Sequence, residues 1–232
     1  MKYSIDTIAQ IIHARNTNSN KKIIIEHIFI DSRNMMPNNN SIFFALHSDR
    51  RDGHQFIESL YNMGFQAFVV SKTFDVSTFS KAVFLIVDNV LESLQKFAVY
   101  HRQQFKIPII GITGSNGKTI IKEWLYQILS LKYNVARSPR SYNSQIGVPL
   151  SLFELNKDNE LAIFEAGIST HNEMEKLEKI IKPTIGILTH IGEAHSDGFE
   201  SKQDKIKEKL ILFKGVKFLI YNVDEIENVV QY

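Results

Sequence analysis

One nine-residue stretch limits this chain more than any other: Gly111-Ile112-Thr113-Gly114-Ser115-Asn116-Gly117-Lys118-Thr119. It follows the apolar run Ile107-Pro108-Ile109-Ile110 and opens a segment with helical periodicity. There Ile121, Trp124, Leu125, Ile128 and Leu129 recur at i, i+3, i+4, i+7 and i+8, the spacing of one buried helix face. A strand, a glycine-rich turn and a helix opening on Gly-Lys-Thr form a cradle for nucleotide phosphates. Backbone N–H groups approach the oxygens where glycine leaves room, and the helix N-terminus adds partial positive charge. Gly114, Ser115, Asn116, Gly117, Lys118 and Thr119 are the expected ATP-binding residues, with Lys118 on the β/γ-phosphates and the Thr119 hydroxyl on Mg²⁺. The common form of the loop has glycine five residues before Gly117, where this chain has Ile112; its other glycines are Gly111 and Gly114. An ordinary strand-to-helix turn would not need three glycines and a lysine together.

The rest of the pattern is that of an α/β protein. From residue 107 onward, near-continuous apolar strands are expected at 107–112, 134–137, 161–165, 184–189 and 216–221. Helices are expected at 118–131, 147–155, 172–181 and 201–213, the alternation of a parallel sheet covered on both faces. Ligands of such sheets bind beyond the carboxyl ends of the strands. That places Glu165, at the end of Leu161-Ala162-Ile163-Phe164, beside the phosphate loop as a second oxygen ligand for Mg²⁺; a solvated strand-end carboxylate is the bland alternative. The first hundred residues read as a separate, small α/β domain. A helix is expected at 7–14, strands at 22–30, 41–46, 66–70 and 82–87, and helices from Asp52-Gly53-His54 to about Met63 and from Val90 to about Phe105. The expected division is residues 1–105 and 106–232. A new helix is expected from Asp224, and a parallel sheet interrupted so soon afterwards suggests a truncated chain.

Composition excludes several classes. The 232 residues carry a net charge of +2 and 22% charged residues, which gives no argument for nucleic acid or an acidic membrane. There is no cysteine, hence no disulfide framework and no thiolate metal site. No apolar leader or membrane-length run is present, so a cytoplasmic location is expected. In the helix at 201–213, Ile206, Leu210 and Phe213 form the apolar stripe. Lys202 and Lys209 lie at its edge, while Lys205 and Lys207 turn further out, as on a solvated face.

Several stretches, in order, resemble the Mur ligase family of peptidoglycan synthesis. The loop at Gly111–Thr119 is similar to that family's ATP loop, displaced glycines included. Tyr142-Asn143-Ser144-Gln145-Ile146-Gly147-Val148-Pro149-Leu150 resembles its Asn-Asn-x-Ile-Gly-Val-Pro-Leu segment, with Asn143 at the first asparagine and Ser144 at the second. Phe164-Glu165-Ala166-Gly167 matches the Glu-x-Gly that holds Mg²⁺. Ile191-Gly192-Glu193-Ala194-His195 matches the segment whose histidine helps bind a second Mg²⁺, although chemistry alone reads His195 as a surface residue. Lys209, fourteen residues later, matches the lysine that in this family is often carbamylated and bridges metal ions. Asp31-Ser32-Arg33, Phe43-Phe44-Ala45-Leu46 and Asp52-Gly53-His54 resemble the domain that binds the UDP end of the substrate, with Ser32 and Arg33 facing the nucleotide; a strand-end salt bridge is the alternative for Arg33.

The resemblance implies an ATP-dependent, ADP-forming amide ligase. Its dipeptide-adding branch joins D-alanyl-D-alanine to UDP-N-acetylmuramoyl-tripeptide through an acyl phosphate, with catalytic Lys118, His195 and Lys209. It further implies a third, C-terminal domain beyond this chain, inactivity of the chain alone, and in some bacteria fusion to an alanine racemase. A folylpolyglutamate synthase would share the second domain but not the Asp-Ser-Arg domain. Another P-loop ATPase or kinase would turn over ATP without a UDP-sugar. A silent nucleotide-binding module would bind ATP unaffected by the muramoyl-peptide.

Overall fold

The structure is a computed structural model and describes residues 1–33, 39–48, 51–192 and 198–223. The helix expected from Asp224 lies outside these residues. Two compact units divide after Tyr100.

The first unit contains β1 (Tyr3–Ser4), α1 (Ile5–Ile11), β2 (Arg15–Asn16), β3 (Ile24–Ile25), β4 (His27–Phe29), β5 (Ser41–Phe44), β6 (His47–Ser48) and β7 (Arg51–Asp52). After a 3₁₀ turn at Gly53–Phe56 come α2 (Ile57–Asn62), β8 (Ala67–Ser71), β9 (Val83–Val87) and the start of α3 (Val90–Gln103). Strands β9, β8, β5 and β4 pair in parallel in that order, and β2 adds antiparallel to β9. Aromatic side chains fill the core: Phe43, Phe65, Phe68 and Phe84 are all buried, and the Phe68 and Phe84 rings stack at 5.2 Å. The strand expected at 22–30 divides at Glu26, because β3 pairs with β1 while β4 joins the main sheet. Ser4 caps α1 by accepting the Thr7 N–H, which starts that helix two residues earlier than its apolar spacing suggests.

The second unit contains β10 (Ile109–Thr113), α4 (Lys118–Leu129), β11 (Val135–Arg137), α5 (Gly147–Leu152) and β12 (Leu161–Glu165). It continues with α6 (Glu173–Ile181), β13 (Ile185–Leu188), α7 (Lys202–Leu210), a 3₁₀ turn at Ile211–Phe213 and β14 (Phe218–Tyr221). All five strands are parallel, in the order β11-β12-β10-β13-β14. The chain leaves β10 toward one edge and later returns to build the other, so β10 is the topological switch point. Every residue of β10 and β12 is buried, which explains their uninterrupted apolar character.

Two expectations about helix faces are corrected. Ile121, Leu125, Tyr126 and Leu129 of α4 pack on the sheet, whereas Trp124 and Ile128 are 63% and 65% exposed. The apolar arc of α4 is wider than the strip that touches the strands. On α7, Lys205 is buried rather than turned outward; Lys209, expected at the edge of the apolar stripe, is buried too, while Lys202 and Lys207 are exposed.

Candidate active site

The loop after β10 is built around glycines that side chains cannot replace without strain. A Cβ on Gly114, whose φ is 150°, would fall 1.9 Å from Thr189 Oγ1. Gly117 sits at φ 84° as the N-cap of α4, where left-handed backbone favours glycine. Thr189, just past β13, clamps the loop: its hydroxyl lies 3.2 Å from the Thr113 carbonyl and 2.6 Å from that of Asn116. The Ser115 and Asn116 N–H groups both donate to the His190 carbonyl, at 2.8 and 3.4 Å. The Ser115 hydroxyl is buried and finds no hydrogen-bond partner among the described residues.

Two lysines converge on the Gly114 carbonyl. Lys118 Nζ donates to it at 2.8 Å and to Ser115 O at 3.0 Å, so its head lies folded over the loop. Lys209 Nζ, brought from α7, donates to the same carbonyl at 3.3 Å. The fold thus sets Lys209 against the glycine loop after β10 across ninety-five residues of sequence.

Beside the loop, Thr119 Oγ1 donates to Glu165 Oε2 at 3.1 Å and lies 3.2 Å from Ser141 Oγ. Glu165 ends β12, paired in register with Ile112, and its side chain is fully buried. Adjacent ligands of an octahedral Mg²⁺ with bonds of about 2.0–2.1 Å stand about 3 Å apart, so these two oxygens have the spacing of neighbouring ligands. Glu165 Oε1 is buried and faces away from Thr119, paired with the Lys122 ammonium at 2.9 Å. The oxygen donors thus suit Mg²⁺, which needs few protein ligands. No group of three or more His, Cys, Asp or Glu with metal-holding geometry occurs among the described residues.

Sequence reasoning missed Lys122. It is fully buried and stands one turn beyond Lys118 on α4, on the face that looks toward β12. Its Nζ donates to the Ser138 carbonyl at 2.9 Å and to the Arg140 carbonyl, and lies 2.9 Å from Glu165 Oε1. The last contact is a fully buried ion pair. Ser138 was missed too; its hydroxyl accepts the Glu165 N–H at 3.2 Å. The one available signal for Lys122 was its i+4 spacing from Lys118.

Of the remaining expected residues, Asn143 accepts the Gly167 N–H on its carbonyl at 2.8 Å. A Cβ on Gly167, two residues past Glu165, would lie 3.0–3.3 Å from the Asn143 side-chain amide. His195 lies outside the described residues. In the first unit Ser32 follows β4, and Arg33 is engaged by Asp31 through Nε at 2.9 Å and Nη2 at 2.5 Å. The guanidinium and the Arg33 N–H hold the Asp31 carboxyl down to about 2. The Asp52-Gly53-His54 turn is structural there. His54 Nδ1 lies 2.6 Å from Asp52 Oδ1, and Nε2 accepts the Ser71 N–H at 3.0 Å, which assigns the Nδ1–H tautomer and pins the turn to the end of β8.

Residues 112–231 match the Mur ligase middle domain, and residues 24–111 match the Mur ligase family, catalytic domain. The chain is 30% identical over 229 residues to the UDP-N-acetylmuramoyl-tripeptide--D-alanyl-D-alanine ligase of Bacillus subtilis (strain 168), covering 97% of this chain and 50% of that protein. The fold superposes on MurF from Acinetobacter baumannii with a TM-score of 0.87 at 23% identity, covering 99% of this chain and 52% of the other. MurF ligase from Thermotoga maritima, determined in complex with ADP, gives a TM-score of 0.75 at 26% identity over 88% of this chain and 48% of its own. The chain spans about half the length of the curated relatives it matches. With the middle-domain match covering more than half of its residues, this chain belongs to the Mur ligase family.

Proposed function

We propose that the second unit binds Mg·ATP and that the parent enzyme joins D-alanyl-D-alanine to UDP-N-acetylmuramoyl-tripeptide. The observation that carries this reading is the 3.1 Å pairing of Thr119 with Glu165 beside a loop whose lysine and backbone face the same strand end. The Thermotoga MurF in complex with ADP supports the nucleotide, and the Bacillus tripeptide–D-alanyl-D-alanine ligase supports the substrates. The N–H groups of Gly117, Lys118 and Thr119, at the N-terminus of α4, would take the phosphates. Lys118 would leave the Gly114 and Ser115 carbonyls to meet the γ-phosphate, where negative charge gathers as the phosphoryl group moves. The substrate carboxylate attacks that phosphorus and releases ADP, giving an acyl phosphate. The amine of the dipeptide then displaces phosphate and forms the amide. Thr119 and Glu165 would hold Mg²⁺, which when bound supplies charge neutralisation between phosphate oxygens.

The first unit is the proposed site for the UDP end, with Ser32 and Arg33 as its contacts. Asn143 is proposed as a substrate contact, and Lys209, carbamylated, with His195 as ligands of a second metal. Rescue of a Lys209→Ala ligase by short carboxylates tests the carbamate; full activity without rescue would overturn it. For the substrate, titration calorimetry with UDP-N-acetylmuramoyl-tripeptide, against the dipeptide form, is the direct test. Saturable binding that prefers the tripeptide is expected. Equal or absent binding by the full-length parent would overturn the assignment.

A further inference from the structure

We propose that Lys122 is a positioning residue that divides the two oxygens of Glu165 and so sets which divalent cation the site accepts. This rests on the reading that Thr119 and Glu165 hold Mg²⁺. The buried ammonium is fixed by the carbonyls of Ser138 and Arg140, both on the segment that follows β11, and it faces Oε1 at 2.9 Å. Oε2 is turned the other way, toward Thr119 and the loop. A cation approaching from the loop side therefore meets one carboxylate oxygen, because the other is opposed by a fixed positive charge. One-oxygen ligation suits the small octahedral shell of Mg²⁺. Ca²⁺ is larger, takes six to eight oxygens and gains from carboxylates that bind through both. Lys122 thus favours Mg²⁺ by withholding Oε1.

The charge arrangement supports a dedicated role. Lys122 Nζ also lies 3.3 Å from Glu123 Oε1, and Glu123 Oε2 meets Arg137 Nη2 at 3.2 Å. Arg137 in turn stacks on the Tyr126 ring at 3.5 Å. The ammonium is therefore anchored from both α4 and β11, and Glu165 is the buried member that the anchoring positions. A brace for the fold alone would not need its charge aimed at the carboxylate beside the phosphate loop.

The test is calorimetric binding of ADP to this chain in EDTA, in excess Mg²⁺ and in excess Ca²⁺, for the wild type, Lys122→Gln and Glu165→Gln. In the wild type Mg²⁺ tightens ADP binding more than Ca²⁺ does. In Lys122→Gln the support by Mg²⁺ falls by about tenfold or more, the usual cost of removing the partner of a metal-ligating group. The support by Ca²⁺ falls less, so the ratio between the two metals shrinks. Gln keeps an amide donor for the Ser138 carbonyl. Should it fail to fold, Lys122→Arg, which retains a buried charge opposite Oε1, should keep the Mg²⁺-to-Ca²⁺ ratio closer to that of the wild type than Lys122→Met does, and equal ratios in the two overturn the role. An unchanged Mg²⁺-to-Ca²⁺ ratio, with Glu165→Gln still abolishing metal support, overturns the role of Lys122 and leaves the metal site standing. Wild-type ADP affinity indifferent to Mg²⁺ overturns both.

Discussion

Acidification should destabilise the second unit through one residue, His101. Its imidazole is 2% exposed, packed edge-on to Phe105 at 5.1 Å and near Phe153 at 5.5 Å. Nε2 lies 3.1 Å from the Leu155 carbonyl, an acceptor, so the ring carries its proton there. Burial pushes the pKa from 6.5 down to about 4, against the smaller opposing pull of that carbonyl. The native state therefore binds fewer protons than the unfolded chain between pH 6.5 and about 4. Stability is full above the upper value and is lost as pH falls through this window, at up to about 1.4 kcal/mol per pH unit. Between pH 7.5 and 4.5 the loss from this residue is about 2.5 kcal/mol, approaching about 3 kcal/mol below pH 4. The assay is urea unfolding followed by circular dichroism at the two pH values, for the wild type and His101→Gln. The glutamine amide can donate to the Leu155 carbonyl but does not titrate. Its stability should fall by about 2.5 kcal/mol less than that of the wild type over the same interval. Equal losses in the two proteins would refute the burial argument.

Two further sets of substitutions test the geometry of the loop and of α4. Gly114→Ala places a methyl against Thr189 Oγ1, and should cost about 1–3 kcal/mol and weaken ADP binding at least about tenfold. Gly64→Ala, also at positive φ but with open space around its Cβ, should cost about 1 kcal/mol and leave ADP binding unchanged; equal effects would deny the clash. On α4, Trp124→Gln should change stability by no more than about 0.5 kcal/mol, whereas Leu125→Ala should cost about 2 kcal/mol in denaturant unfolding. The reverse order would restore Trp124 to the buried face.

Much of this arrangement could be read from the sequence, for physical reasons specific to each part. The strands β10 and β12 are buried on both faces, so they must be apolar along their length, and Glu165 stands out as the polar residue ending such a run. Gly114 is required by positive φ and close contact and Gly117 by positive φ alone, constraints that no side chain can hide. Lys122 was not legible, because a lysine between Ile121 and Glu123 reads as a solvated helix residue. Its burial is decided by Ser138, Arg140 and Glu165, partners that only the fold brings near. Lys205 reversed the expectation for α7 in the same way, since periodicity counts a lysine as polar whatever it meets. Trp124 and Ile128 failed in the opposite sense: apolar spacing defines an arc on the helix, but the width of the contact belongs to the sheet. The split at Glu26 was hidden because one β-branched run serves two sheets.

At the strand end of β10 and β12, Thr119 and Glu165 are proposed to bind a metal–nucleotide complex, and everything said of catalysis depends on it. The most direct measurement is the dissociation constant of ATP for this chain in Mg²⁺ and in EDTA, repeated with Glu165→Gln. Binding tightened by Mg²⁺ in the wild type, and indifferent to Mg²⁺ in the variant, is the predicted result. Affinity that does not depend on Mg²⁺ in the wild type, or Mg²⁺ support that survives loss of the carboxylate, would contradict it.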